Sequence, residues 1–432
     1  MAQEIVARFK RLCEIPHCSF ETAQMQAYLV EEARRCGALV QVDEAGNILA
    51  TKGKPKVCLQ AHYDMVCMGD APRLEIVESD GFLRAKNASL GADNGMGVAM
   101  MLAALEGCDD LECLFTNDEE VGLLGANALA LSLQSPCLLN LDSEEEGKVF
   151  VGCAGGVDVA ATLPLETQEA PKDALFYEIE VKNLPGGHSG IQIHESIPHA
   201  IKVLAQELLA HPCFLVSIEG GERINSIPTA ARAIIATKEP FTCKDTRLTC
   251  KPASSSYSKV VVKSDTILKT VCAFAQGVRA WDKTLDLPRS SINLSTMTCS
   301  QEALRLDFFA RAMKEESLQE LKNETKAFLE LGGFEVSFSG ETAPWNPCIT
   351  PFAQLVQEEC AMVWGSAKFA GIHAGLECGV LLAKHQGALE VCSIGPHIEA
   401  PHTVHERCLV ASVARVYDCV KRIVRRKTYG TY

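Results

Sequence analysis

Along the first 165 residues, short apolar runs alternate with stretches of helical spacing, the pattern of strands and crossover helices in a mostly parallel sheet. The apolar runs are Val57 to Ala61, Leu111 to Thr116 and Cys137 to Leu141. Between the first two, "NGMGVAMMLAALEG" has the length and composition of a helix, and "GLLGANALALSL" after the second predicts another. At the N-terminus, "MAQEIVARFKRLCEIPHC" sets Ile5, Phe9 and Leu12 on one helical face. Each apolar run of the sheet leads into an acid or a histidine.

The pattern changes near "LPLETQEAPKDALF", a polar stretch with two prolines that suits a domain boundary. Beyond it, "LFYEIEVKNL", "ARAIIATK" and "SSINLSTMT" alternate as strands do, while "PHAIKVLAQELLA" and "KEESLQELKNETKAFLELGG" have helical spacing, the second stopping at Gly332-Gly333. From Gly340 the first pattern returns in "TPFAQLVQEECAMVW", "GLECGVLLAKH" and "LEVCSIGP". The C-terminal part alone is too short for its own core. The expected organisation is therefore one α/β sheet domain in two parts, residues 1–165 and 340–432, interrupted by an inserted α+β domain, residues 166–339.

Composition narrows the function. A chain of 432 residues, 47% hydrophobic, is long enough for two or three cored domains. Its net charge of -14 argues against nucleic acid or anionic membranes as partners and favours a small polar substrate. The N-terminus lacks a signal peptide's apolar core, and "GVAMMLAALEG" is too short to span a bilayer. Twenty cysteines without a C-x-x-C pair read mostly as reduced core residues of a cytoplasmic protein.

The acids and histidines that follow the strands carry the chemistry. In "LQAHYDMVCMG", His62 and Asp64 are two apart on a strand and project together, as a core histidine with an acid or as a metal ligand with its orienting partner. In "SLGADNGMGVAMM", Asp93 sits in a glycine-rich turn before a helix, either as an N-cap or as a carboxylate reaching between two ions. In "LFTNDEEVGLLGA", Asp118, Glu119 and Glu120 repel one another, a cost that a dication would offset; one glutamate can bind metal while its neighbour serves as general base. In "LLNLDSEEEGKVF", Asp142 reads as a ligand and Glu144 to Glu146 as a solvated run. Such sets at the carboxyl ends of neighbouring strands lie where open α/β sheets bind ligands, and mixed nitrogen and oxygen donors suit zinc, manganese or cobalt.

The series "AHYDMV", "LGADNGMGVAM", "TNDEEVGLLGA", "LNLDSEEEG", "GCAGG", "GGHSGIQIH", "HAGLECG" and "GPHIEAPHTVHE" resembles the M20 metallopeptidases, and among them the aminoacyl-histidine dipeptidases, over nearly the whole chain. The resemblance implies a zinc-peptidase-like sheet with helices on both faces and an inserted lid and dimerisation domain. It implies two divalent ions, zinc before cobalt or manganese: His62 and Asp142 on one, Glu120 and His402 on the other, Asp93 between them. Asp64 would orient His62, and Glu119 would be the base that activates the bridging water. His405 is read as a surface residue. His188 would polarise the scissile carbonyl after domain closure, with His194 as its rival. Asn225 and Arg305 would contact substrate, Arg305 through its terminal carboxylate, and Glu377 would receive the free amine.

The activity implied is hydrolysis of dipeptides, Xaa-His among them, with a small peptide as partner. A homodimer through the lid domain stays open, as does whether His188 serves its own or a partner's site. An N-acyl amino acid deacylase or an aminotripeptidase could use the same site. A non-catalytic peptide or metal binder is disfavoured because Glu119 is present.

Overall fold

All residues of the strands Cys58–His62, Leu111–Thr116 and Cys137–Asn140 are buried, so both faces of the sheet they form are covered. The structure, a computed structural model, describes residues 2–386 and 388–430. Cys58–His62 pairs in parallel with Leu111–Thr116 on one side and Cys137–Asn140 on the other, and Glu390–Ser393 continues the parallel set. Antiparallel pairs flank this centre: Leu39–Val42 and Ile48–Lys52 on one side, Lys148–Cys153 on the other. The sheet is thus parallel only at its middle, where the candidate ligands leave it.

The helix Ala92–Gly107 is apolar on every side because it is packed on every side, against Cys58–His62 and against the N-terminal helix Ala2–Leu12. Ile5, Phe9 and Leu12 of that N-terminal helix are buried, as its spacing predicts. "GLLGANALALSL" forms only the short helix Leu124–Ala128. Beyond it the backbone finds other acceptors: Ala130 N–H donates to Asp43, and Gln134 and Ser135 N–H donate to Glu112. A second, four-stranded sheet joins Ile76–Ser79 and Phe82–Ala85 to the hairpin Ile398–Glu399 and Arg407–Leu409, so that residues around 400 are fixed beside the turn that precedes Asp93.

The chain divides at Cys153/Ala154 and Pro344/Trp345, with Ile372–Gly375 joining the second unit. The boundary expected after 165 falls too late, because Gly155–Pro164 pairs along its length with Ala303–Ala312 inside the second unit's sheet. That sheet is antiparallel, and along Gly155–Pro164 the buried Val157, Val159, Ala161 and Leu163 alternate with half-buried positions. Helices Ala200–Leu209, Ser264–Ala273 and Glu315–Leu331 close its core.

One pair stands apart from the expectation that most cysteines are reduced. Cys18 and Cys67 form a disulfide, made because Cys18 bridges Met65 in a short parallel contact that brings the two α-carbons to 5.5 Å. The other described cysteines are free, most of them buried or half-buried. No helix among the described residues is long and apolar enough to cross a membrane.

Candidate metal centre

His62 is the last residue of its strand and is 1% exposed. Its Nδ1 lies 3.0 Å from the Asp64 carbonyl oxygen and 3.4 Å from the Asp64 carboxylate. A donor at Nδ1 leaves Nε2 as the lone-pair nitrogen, and Nε2 faces Asp93 Oδ1 and Asp142 Oδ1, each 3.3 Å away. The Asp64 carboxylate has a further task. It accepts from Ser19 Oγ at 2.7 Å and from the backbone N–H of Glu119 and Glu120 at 2.9 and 3.3 Å, fixing the turn that carries both glutamates.

Asp93 enters from the start of Ala92–Gly107, with a non-helical backbone (φ -85°, ψ 105°) and a cis peptide bond to Asn94. Asn94 Nδ2 donates to Asp142 Oδ1 at 2.5 Å. A side chain at Gly97 would place Cβ 2.1 Å from Asn94 Oδ1, so glycine is required for that amide to stay. Asp142 is fixed from behind: its N–H donates to Asn140 Oδ1, and Asn140 Nδ2 donates to Gln60 Oε1 at 2.6 Å within the sheet.

His402 is set on the hairpin with φ 59° and is half-exposed. Its Nε2 lies 2.9 Å from Glu120 Oε2 and 3.0 Å from Asp93 Oδ2. Three groups therefore have donor atoms close enough to share an ion: His62 with Asp93 and Asp142, Asp93 with Glu120 and His402, and His62 with Glu119 and Glu120. Glu119 Oε2 is 4.0 Å from His62 Nε2.

Burial pushes Asp142 up to about 6, and raises Glu119 and Glu120 as well, the last helped by Asp93. Burial opposes charge on His402, yet Asp93 and Glu120 raise it to about 12; His62 is likewise raised against its burial, by Asp142, Asp64 and Asp93. Carboxylates outnumber cations here: burial makes Asp142, Glu119 and Glu120 hold their protons more tightly and the facing carboxylates do the same for His62 and His402, whereas Asp93, against its burial, is lowered by its bonds to His402 and His62. Divalent ions would relieve the same excess. Glu120 Oε1 is buried without a hydrogen-bond partner, which also fits a ligand atom. The residues fit two such ions.

Other expected residues fare differently. Glu377 is fully buried, accepts from Gln60 Nε2 at 2.5 Å and Thr116 Oγ1 at 2.6 Å, and is pushed up to about 8 by burial. Both bonds fall on Oε2 and brace the strands beneath the site, while Oε1 is buried without a hydrogen-bond partner. Glu144, read as solvated, is half-buried and pushed up by burial and by Asp93, whereas Glu145 is exposed beside Lys148 and Glu146 pairs with Arg415. His405 is exposed, as expected.

His188, Asn225 and Arg305 belong to the second unit. His188 Nδ1 accepts the N–H of Gly190 and Ile191 at 3.2 and 3.1 Å, so its proton resides on Nε2. Asn225 is exposed, and its carbonyl accepts Ser189 N–H. His194 is exposed, its ring 6.0 Å from that of Trp281. Arg305 is exposed and already paired with Asp307 at 2.7 Å, an arrangement that leaves little for a ligand. Arg311, which sequence reasoning passed over, is 7% exposed, forms no ion pair among the described residues and has an unpartnered Nε. Burial lowers it to about 10. A Cβ on Gly190 would meet Arg311 Nε at 3.0 Å and His188 Cε1 at 3.1 Å, so glycine lets the two approach.

A family model described as Peptidase family M20/M25/M40 matches residues 58–426. The cytosol non-specific dipeptidase of Escherichia coli (strain K12) is 30% identical, with 96% of each chain covered. The crystal structure of aminoacylhistidine dipeptidase from Vibrio alginolyticus is similar at a TM-score of 0.80 and 26% identity, covering 98% of this chain and 96% of that one. A tripeptidase from Staphylococcus aureus shares the fold at a TM-score of 0.63 and 16% identity, covering 99% and 98%.

Proposed function

The chain belongs to peptidase family M20/M25/M40 and is a metallopeptidase, and from that premise we propose that it hydrolyses unblocked dipeptides, Xaa-His among them, with two divalent ions. One observation carries the two-ion reading. The Asp93 carboxylate turns one oxygen to His62 at 3.3 Å and the other to His402 at 3.0 Å, the posture of a bridging ligand. His62 and Asp142 would hold one ion, and Glu120 and His402 the other. Zinc suits this nitrogen and oxygen set, with cobalt or manganese as substitutes.

When bound, such ions supply Lewis acidity that polarises a carbonyl and acidifies water. Glu119, turned toward His62 and raised by burial, is suited to take a proton from the attacking water and pass it to the leaving amine. Asp64 holds the Glu119 backbone for that task. Of the second unit's residues, we assign His188 Nε2–H to the oxyanion, Arg311 rather than Arg305 to the substrate's terminal carboxylate, and Asn225 to a peripheral contact. The reading includes a homodimer through the second unit and a cytoplasmic location, the latter resting on the relative's name.

The test is chelation followed by reconstitution, assayed on unblocked dipeptides, N-acetyl amino acids and tripeptides. Activity should disappear with the metal and return with zinc, cobalt or manganese. Full activity in demonstrably metal-free protein overturns the reading, and turnover confined to N-acetyl amino acids or tripeptides transfers it to another substrate.

A further inference from the structure

We propose that Glu406 is the positioning residue that locks the His402 hairpin onto the Asp93 turn and thereby builds the ion site shared by Asp93, Glu120 and His402. The inference rests on the two-ion reading above. Glu406 is 2% exposed. Its Oε2 accepts the N–H of Leu90 at 2.7 Å and of Gly91 at 3.0 Å; its Oε1 accepts the N–H of Ala92 at 2.8 Å and of Asp93 at 3.3 Å. The N–H groups that open a helix have no acceptor inside it, and one carboxylate from a distant segment here takes four in succession, with charge-assisted bonds.

The rest of the hairpin transmits this anchor to His402. Thr403 Oγ1 donates to Ala400 O at 2.8 Å and accepts His405 N–H at 3.0 Å, and Glu406 N–H donates to Thr403 O at 3.2 Å. The turn from 400 to 406 is therefore one braced piece. His402 is half-exposed and gains little from packing, so where Glu406 sits decides where its imidazole sits. His62 and Asp142 have their own supports, the Asp64 carbonyl and the Asn140 to Gln60 pair, and Glu406 takes no part in them. Glu406 meets the Asp93 backbone but none of the donor atoms, which makes its role positional.

The consequence is a selective one: weakening Glu406 should loosen one ion and spare the other. Glu406→Gln keeps the side chain's shape but turns an amide NH₂ toward two of the four N–H groups. Zinc-loaded parent and variant would be dialysed against graded chelator, with zinc per chain measured by atomic emission and folding followed by circular dichroism. The parent should hold two ions. The variant should release one at a chelator concentration at least about tenfold lower and keep the second as the parent does. Thr403→Ala, at an exposed position, should weaken the same ion by a smaller factor and serves if Glu406→Gln does not fold. Retention of both ions at parent affinity in these variants, or loss of both together, overturns the inference. A parent that binds fewer than two ions overturns the two-ion reading, and the inference with it.

Discussion

In the first unit a buried cluster is anionic, with Asp93, Glu119, Glu120 and Asp142 converging on two histidines; in the second a buried cation, Arg311, has only Asp158 supplying a nearby negative charge. His373 is pushed down to about 3 by burial and by Arg311. Surface charges of this chain are treated otherwise. Arg305 pairs with Asp307, Lys148 with Glu145 and Arg415 with Glu146. Leaving buried charge unpaired is strongly unfavourable, so a fold keeps it where a ligand of opposite sign completes the pairing. The first cluster asks for cations and the second for an anion. Sign and burial together distinguish a site from a solvated patch more sharply than residue type does.

The comparison can be broken at three places. Glu119→Ala should have the largest effect: turnover falls by at least about 10²-fold, while metal content stays at the parent's level. Loss of an ion in that variant would make Glu119 a ligand, a role its closeness to His62 and Glu120 also permits. Next, Arg311→Ala should lower kcat/KM by about 10- to 10²-fold, mostly through KM, and the defect should shrink on dipeptides whose carboxylate is amidated. An equal defect on amidated substrates would remove the anion from the second cluster. Smallest of all, Arg305→Ala should leave KM unchanged and shift stability by less than about 0.5 kcal/mol, as for an exposed pair. A KM rise matching that of Arg311→Ala would return the carboxylate to Arg305.

How much of this was legible depended on the distance over which each feature is decided. His62, Asp142 and the glutamates follow continuous apolar runs, so local sequence announced both the strands and their exits. The setting of His402 was not announced, because the strand that leads to it, Ile398–Glu399, is two residues long and shows no period. Glu406 bonds to residues 313 to 316 positions away, beyond any local pattern. Arg305 and Arg311 stand on the same face of Ala303–Ala312 by the period-two rule; one is exposed and the other buried only because of where along the strand each falls. Glu377 did give a signal, since its neighbours Cys378 to Leu381 are apolar or small and foretold burial.

The proposed bridge between Asp93 and His402 spans 309 residues of chain, and this orders events in time as well as in space. A ribosome reaches His62, Asp93, Glu119, Glu120 and Asp142 within the first third of synthesis. At about 5–20 residues per second it needs roughly 10–50 s more before His402 and Glu406 emerge. Throughout that interval the nascent chain carries four carboxylates and one imidazole of the set, with neither the second imidazole nor the clamp on Asp93. A chain interrupted anywhere before residue 402 is consequently left with half a centre, and peptide-bond hydrolysis becomes available only to a molecule that is almost entirely made.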